Sequence, residues 1–194
     1  MLAPTTDEDI PAIVALVNRA YRGSGSTAAW NTEAGYISGD RTTRDLLRAD
    51  VLAKPEASLL KWVGASTGGL LGCVWLEPLG DGKWYLGSLA TDPDRQNTGL
   101  GRDVLTAAEL WVHEHGGTRV RMTVVNVRET LIAWYLRRGY HLTGETEAFP
   151  YDDNRFGTPL RDDLKFVVLE KVLRPDDASV AGLSAIQGAR SNGR

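Results

Sequence analysis

Apolar residues begin to recur at helical spacing near the start of the chain, where Ile10, Ile13, Val14, Val17, Ala20 and Tyr21 share one face. Just before them, Thr6-Asp7-Glu8-Asp9 places an acid three residues after a hydroxyl, a capping pattern. A first helix is therefore predicted over about 7 to 22, ending near Gly23. Residues 23–39 open with glycine and serine and continue through Trp30, Glu33 and Tyr36 without a clear period, which predicts a long loop or a broken helix. A second helix is expected over about 42 to 53, stopping before Pro55. Three extended segments follow, near 58–65, 69–77 and 83–91. Turn formers separate them at Thr67-Gly68-Gly69 and Gly80-Asp81-Gly82, and the three read as an antiparallel meander.

Beyond the meander the period returns to that of a helix. Leu100, Val104, Ala107, Ala108, Trp111 and Val112 lie on one face, and His115-Gly116-Gly117 ends the segment. Residues 119–125 alternate, with Val120, Met122 and Val124 on one side and Arg119, Arg121 and Thr123 on the other, as in a half-buried strand. A helix at about 129–138 ends at Gly139, and strands near 140–146 and 164–173 enclose a polar loop. This order predicts an α/β domain over residues 1–173 with a mixed, mostly antiparallel sheet. Small and polar residues dominate 174–194, which read as a mobile C-terminal tail.

Composition narrows the picture. The 194 residues include 42% hydrophobic side chains, enough for one compact core. With 25 acidic and 22 basic residues the formal charge is −3, which argues against nucleic acid or an anionic membrane as the main partner. The lone cysteine, Cys73, sits in the apolar run Leu70–Leu76 and reads as a buried core thiol. The first residues lack a secretion signal, no apolar run approaches the ~20 residues of a membrane span, and a cytoplasmic location is expected. No His, Cys or carboxylate cluster has metal-ligand spacing, so no metal is expected.

The densest chemistry lies in Leu89-Ala90-Thr91-Asp92-Pro93-Asp94-Arg95-Gln96-Asn97-Thr98-Gly99-Leu100-Gly101. A strand runs into a turn that opens an amphipathic helix. Unpaired N–H groups and the helix dipole at such a mouth suit a diphosphate, and glycines let its oxygens come close to the backbone. Two familiar phosphate loops fail on spacing. Gly101 is followed by Arg102-Asp103 rather than Lys-Ser/Thr, and Val104 stands where a dinucleotide fingerprint needs glycine or alanine.

Gln96-Asn97-Thr98-Gly99-Leu100-Gly101 resembles the Gln/Arg-x-x-Gly-x-Gly/Ala pyrophosphate motif of the GNAT superfamily of N-acetyltransferases. A second block agrees with it in place and order. Asn126-Val127-Arg128-Glu129, followed by Ala133-Trp134-Tyr135-Leu136-Arg137-Arg138-Gly139-Tyr140, is similar to the family's strand ending at Asn and helix carrying a Tyr four residues before Gly-Tyr. The resemblance covers about residues 1–173. It implies a sheet of six to seven strands with about four helices, splayed between two central parallel strands. It also implies acetyl-coenzyme A as acyl donor and an amine of a small molecule, amino acid or peptide terminus as acceptor, in a monomer or homodimer.

On that resemblance, Leu89, Ala90 and Thr91 line the pantetheine arm and the developing oxyanion, while Gln96, Asn97, Thr98, Gly99, Leu100, Gly101 and Arg102 hold the pyrophosphate. Asn126 is expected to bond the pantetheine arm or to orient its neighbours. Tyr135 is the general acid that protonates the leaving thiolate; read as an ordinary helix residue it would instead be core. Tyr85 stands where histone-modifying relatives carry a glutamate base. Glu77 and Glu33 are the remaining candidates to deprotonate the amine through water, although each reads first as a solvated surface acid. A non-catalytic acyl-coenzyme A binding module or regulatory scaffold therefore stays open as an alternative. The acceptor is expected between the segment with Trp30, Glu33, Tyr36 and Arg41 and the loop with Phe149 and Tyr151. Glu33, Glu147, Asp152 and Asp153 should make that mouth slightly negative, favouring a cationic amine, whereas Arg41 could instead hold a carboxylate.

Overall fold

The fold is seen in a computed structural model that describes residues 1–23, 29–65 and 68–174. The expected tail lies, from residue 175 onward, outside the described residues. The strands are β1 (Leu2–Pro4), β2 (Ile37–Ser38), β3 (Ser58–Val63), β4 (Leu70–Gly80), β5 (Lys83–Thr91), β6 (Arg119–Val125), β7 (His141–Ala148), β8 (Thr158–Pro159) and β9 (Lys165–Val172). The helices are α1 (Ile10–Arg22), α2 (Arg44–Ala53), α3 (Leu100–Glu114) and α4 (Glu129–Leu136).

Local chemistry sets the boundaries. Asp9 Oδ2 accepts from Thr6 N–H at 2.8 Å and from Thr6 Oγ1 at 2.9 Å, closing the turn that leads into α1. Thr43 Oγ1 accepts from Leu46 N–H and caps α2. The β4–β5 hairpin turns at Asp81-Gly82, both at positive φ, as a two-residue turn whose twist matches its strands requires.

Seven strands form one sheet in the order β1-β3-β4-β5-β6-β9-β7, and β2 pairs separately with β8. Every neighbouring pair in the large sheet is antiparallel except β5–β6. That parallel pairing is short: Lys83, Trp84 and Tyr85 face Arg119, Val120 and Arg121, and no pair forms beyond them. From Leu86 to Thr91 the β6-facing edge of β5 has no ladder partner, and the sheet opens into a V. The mixed sheet and its splay agree with the expected architecture. Two features were not expected: β1, which joins the edge through β3, and the two-residue β2–β8 ladder.

Both faces of the sheet are covered. Val74, Leu76, Leu86, Val120, Met122 and Leu169 pack with Leu105, Ala108 and Val112 of α3 and with Leu131 and Tyr135 of α4. On the opposite face, Leu59, Cys73 and Ala90 pack beneath Ile13, Val17 and Ala20 of α1 and Leu47 of α2. Cys73 is fully buried, as its apolar surroundings imply, and burial pushes its thiol up to about 12. No helix among the described residues is long and apolar enough to cross a membrane.

Gly157 fixes the approach of the 155–157 turn to the β2 backbone. It sits at φ +93°, and a Cβ there would collide with the Ser38 carbonyl oxygen. We predict that Gly157→Ala lowers stability by about 2 kcal/mol, read as a shift in denaturation midpoint, because strain and contact add at one position.

Candidate active site

β5 carries the site, and a bulge in it decides which way its residues face. Cys73 pairs with Ala90, but Trp75 pairs with Gly87, so Ser88 and Leu89 together oppose Val74. Ser88 takes up the extra residue at φ +46°. Consecutive residues on either side of this point line different cavities. Leu89, Ala90 and Thr91 face one of about 420 Å³, whereas Tyr85, Gly87 and Ser88 face a second of about 260 Å³.

The larger cavity lies between the freed end of β5, the mouth of α3 and the inner face of α4. Gly99, at φ +86°, is the N-cap of α3, where the chain turns through a left-handed residue so that the helix opens onto the cavity. Gln96, Asn97, Gly99, Leu100, Gly101 and Arg102 all line it. Its lining contains five arginines, Arg95, Arg102, Arg128, Arg137 and Arg138, and no carboxylate. In a chain of net charge −3 that concentration suits an anion, even with Arg102 paired to Asp103 at 3.2 Å and Arg128 to Glu33 at 2.7 Å. The arginines come from the turn before α3, from α3 itself and from both ends of α4. Gly101 lets the backbone be approached without disturbing the fold, since a Cβ there would meet only Trp134, at an ordinary 3.6 Å. The residues present thus fit a polyanion such as a pyrophosphate.

Two of the expected cofactor residues face elsewhere. Thr98 turns its hydroxyl to the Arg95 carbonyl at 2.8 Å and holds the turn. Asn126 pairs with the backbone entering β9, donating to Asp163 O at 3.1 Å and accepting from Lys165 N–H at 2.9 Å. It therefore orients its neighbours. Gln96 accepts from Trp30 N–H at 2.9 Å, which brings Trp30 to the rim of this cavity rather than to a separate acceptor site.

Tyr135 lines the same cavity yet is 95% buried, and its ring packs edge-on against Trp134 and Tyr140. Burial, with Tyr21 adding to it and Arg128 opposing it, raises the pKa of its phenol, which holds its proton at neutral pH. Tyr21, which the sequence pattern assigns to the core face of α1, also reaches the cavity and donates to Leu89 O at 3.3 Å.

Glu33 is buried and lines neither cavity. It is 4% exposed, with Arg22 Nη1 on Oε2 and Arg128 Nη1 on Oε1, the latter at 2.7 Å. Arg128 Nη2 also donates to Asn31 O at 2.8 Å. This cluster ties residues 29–37 to the end of α1 and to the N-terminus of α4, closing one wall of the cavity. The expectation of a solvated acid fails because its partners lie 11 and 95 residues away in sequence. Tyr36 packs beside it, its hydroxyl without a partner among the described residues and pushed by burial to about 12. Phe149 packs on Tyr151 and Phe166, and Tyr151 accepts from Leu164 N–H at 2.6 Å, so both support the loop. The four acids expected at the mouth do not gather. Glu147 reaches Arg121 at 3.5 Å, Asp153 caps Arg155 N–H at 3.0 Å, Asp152 is exposed, and Glu33 is buried.

The second cavity holds the remaining candidates. Glu77, Arg41 and Tyr85 line it together with Asp50, Lys54 and Arg155. Glu77 pairs with Lys54 through Oε1 and accepts from Trp75 Nε1 at 3.3 Å through Oε2. The Tyr85 hydroxyl lies 3.2 Å from Thr123 Oγ1, bridging the opening of the V.

The profile of the acetyltransferase (GNAT) family matches residues 25–140, which is more than half of the chain. The chain belongs to the GNAT acetyltransferase family. No curated protein sequence matches it. Solved GNAT structures share the fold at low identity. A ribosomal-protein-alanine N-acetyltransferase from Brucella melitensis is 16% identical, with a TM-score of 0.63 over 89% of this chain and 99% of that one. The PaiA N-acetyltransferase from Thermoplasma acidophilum, solved in complex with coenzyme A, is 16% identical with a TM-score of 0.63, over 89% and 98% of the two chains. A GNAT family acetyltransferase from Elizabethkingia anophelis with acetyl-CoA bound is 16% identical with a TM-score of 0.61, over 89% and 97%.

Within this GNAT domain the Glu33 cluster makes a testable structural claim. Glu33→Gln leaves two buried arginines without a counter-charge and should cost about 3 kcal/mol in chemical denaturation. A loss below about 0.5 kcal/mol, in the range of surface substitutions, would show that the cluster does not hold the wall.

Proposed function

We propose that this chain transfers the acetyl group of acetyl-coenzyme A directly to a primary amine, with the coenzyme in the larger cavity and the acceptor in the smaller one. The observation that carries this is the five-arginine, carboxylate-free cavity at the mouth of α3, in a chain whose family is that of GNAT acetyltransferases. Acetyl-coenzyme A supplies an activated thioester. Everything else falls to side chains and backbone of this protein.

The N–H groups at the start of α3, with the surrounding arginines, bind the pyrophosphate. The unladdered edge of β5 from Leu86 to Thr91 offers backbone donors and acceptors to the pantetheine amides and to the carbonyl oxygen as charge grows on it. Transfer forms one N–C bond, breaks one C–S bond and moves one proton, on balance, from nitrogen to sulfur. Tyr135, held protonated by burial, donates to the sulfur. Glu77 takes the proton of the amine through water, since it is the acid of the two candidates that faces a cavity. Glu33 has both oxygens committed to arginines and serves as a structural counter-charge. The bulge makes this division of labour possible. Ser88 and Leu89 are neighbours, about 3.3 Å apart along a strand, so groups in the two cavities meet at one point of β5.

Two variants test the reading. Gly101→Val crowds the phosphate approach, and its Cβ would meet only Trp134, at an ordinary 3.6 Å. Calorimetry should show acetyl-coenzyme A affinity falling by about tenfold or more with an unchanged melting temperature. Parental affinity would move the cofactor elsewhere. Tyr135→Phe removes a donor needed only when the thiolate departs, so kcat should fall about 10²-fold while coenzyme affinity barely moves. An unchanged kcat, with chemistry shown to be rate-limiting, would reduce Tyr135 to a packing role.

A further inference from the structure

The smaller cavity is bounded by α1, α2, β4, β5 and the turn at residues 155–156. Its charged side chains are Arg41, Asp50, Lys54, Glu77 and Arg155. Four of them cancel in pairs, Arg155 with Asp50 and Lys54 with Glu77. Arg41 is left over. Its backbone N–H donates to Asn18 Oδ1 at 2.8 Å, but among the described residues its guanidinium has no hydrogen-bond acceptor and no carboxylate partner. What it has is aromatic cover, with its guanidinium carbon 4.6 Å from the Phe156 ring centroid and 5.5 Å from that of Tyr21.

Aromatic faces against a planar guanidinium restrain its plane and leave the N–H groups at its edge as donors. A partly buried cation so restrained, at the wall of a cavity whose other charges are neutralised, matches the fork of a carboxylate. It also disfavours a polycation, because the lining carries three basic side chains against two acidic ones. Tyr85, Gly87 and Ser88 bound the same cavity, and Ser88 leads directly to Leu89 in the larger one. A short molecule with its carboxylate on Arg41 would therefore extend its other end toward the bulge in β5.

We infer that Arg41 selects the acceptor, and that the acceptor is a small amine carrying a carboxylate, of the amino-acid kind. This rests on the acetyl-transfer reading above, but it can fail separately. The test uses the full chain with a panel of amino acids and their matched carboxamides, with two readouts: coenzyme A thiol release, and the thermal shift produced by each compound in the presence of coenzyme A. At least one amino acid should be preferred over its amide. Arg41→Ala should then lower the carboxylate-to-amide ratio of kcat/KM by about tenfold or more, the scale of a lost charged hydrogen-bond pair, and Arg41→Lys should restore part of it. Thermal shifts that need both the carboxylate and Arg41, without thiol release, would uphold the site and sink the transfer reading. A panel in which no carboxylate compound gives an Arg41-dependent shift, or in which amides and polyamines are preferred, overturns the inference.

Discussion

The candidate site depends on one constraint, that β5 and β6 pair for only three residues. A parallel ladder continued to Thr91 would satisfy the backbone of β5 on both edges and close the sheet. Parting after Tyr85 instead leaves six residues with donors and acceptors on one side only, inside a protein where such groups need partners. The parting is held open from both directions. The bulge at Ser88–Leu89 bends β5 away, and α4 inserts Leu131 and Tyr135 into the core beside β6. What the opening lacks in internal hydrogen bonds it offers to a bound molecule.

Charge then gives each side of the opening its own character. On one side, arginines from the α3 turn, from α3 and from α4 converge without a carboxylate in the lining; Arg102 pairs with Asp103 behind it, and Glu33 is consumed in holding the wall. On the other, acids and bases alternate and almost cancel. A chain with a net negative charge thus carries a strongly basic cleft on one side of a strand and a nearly neutral one on the other. The positive lining is local, and it is built from residues spread between positions 95 and 138.

Much of this was legible in the sequence, for identifiable reasons. The meander was readable because Asp81-Gly82 allows a tight turn and flanks alternating strands. The glycines at the mouth of α3 fit an ordinary helix start equally well, and that mouth was readable only because Gln96-Asn97-Thr98-Gly99-Leu100-Gly101 resembles the family's pyrophosphate motif; Tyr135 was likewise singled out by its place in a family block. Contacts distant in sequence were not. Glu33 looked like a surface acid because nothing local reveals an arginine 95 positions away. The basic cleft escaped notice because Arg95 and Arg102 become neighbours of Arg137 and Arg138 only when α3 and α4 pack on the same face. Asn126 and Thr98 matched the family pattern but spend their side chains on backbone atoms. β1 and the β2–β8 ladder were too short to show a period.

The proposal that the opened edge of β5 and the mouth of α3 together hold coenzyme A underlies every role assigned above. A crystal structure of the complex tests it most directly. The pyrophosphate should lie on the N–H groups of residues 97–102, with arginines of the α3 turn and α4 around it, and the pantetheine arm should pair with the backbone of residues 86–91. A coenzyme seated in the smaller cavity, or a pantetheine arm that makes no hydrogen bond to the β5 backbone, would contradict it.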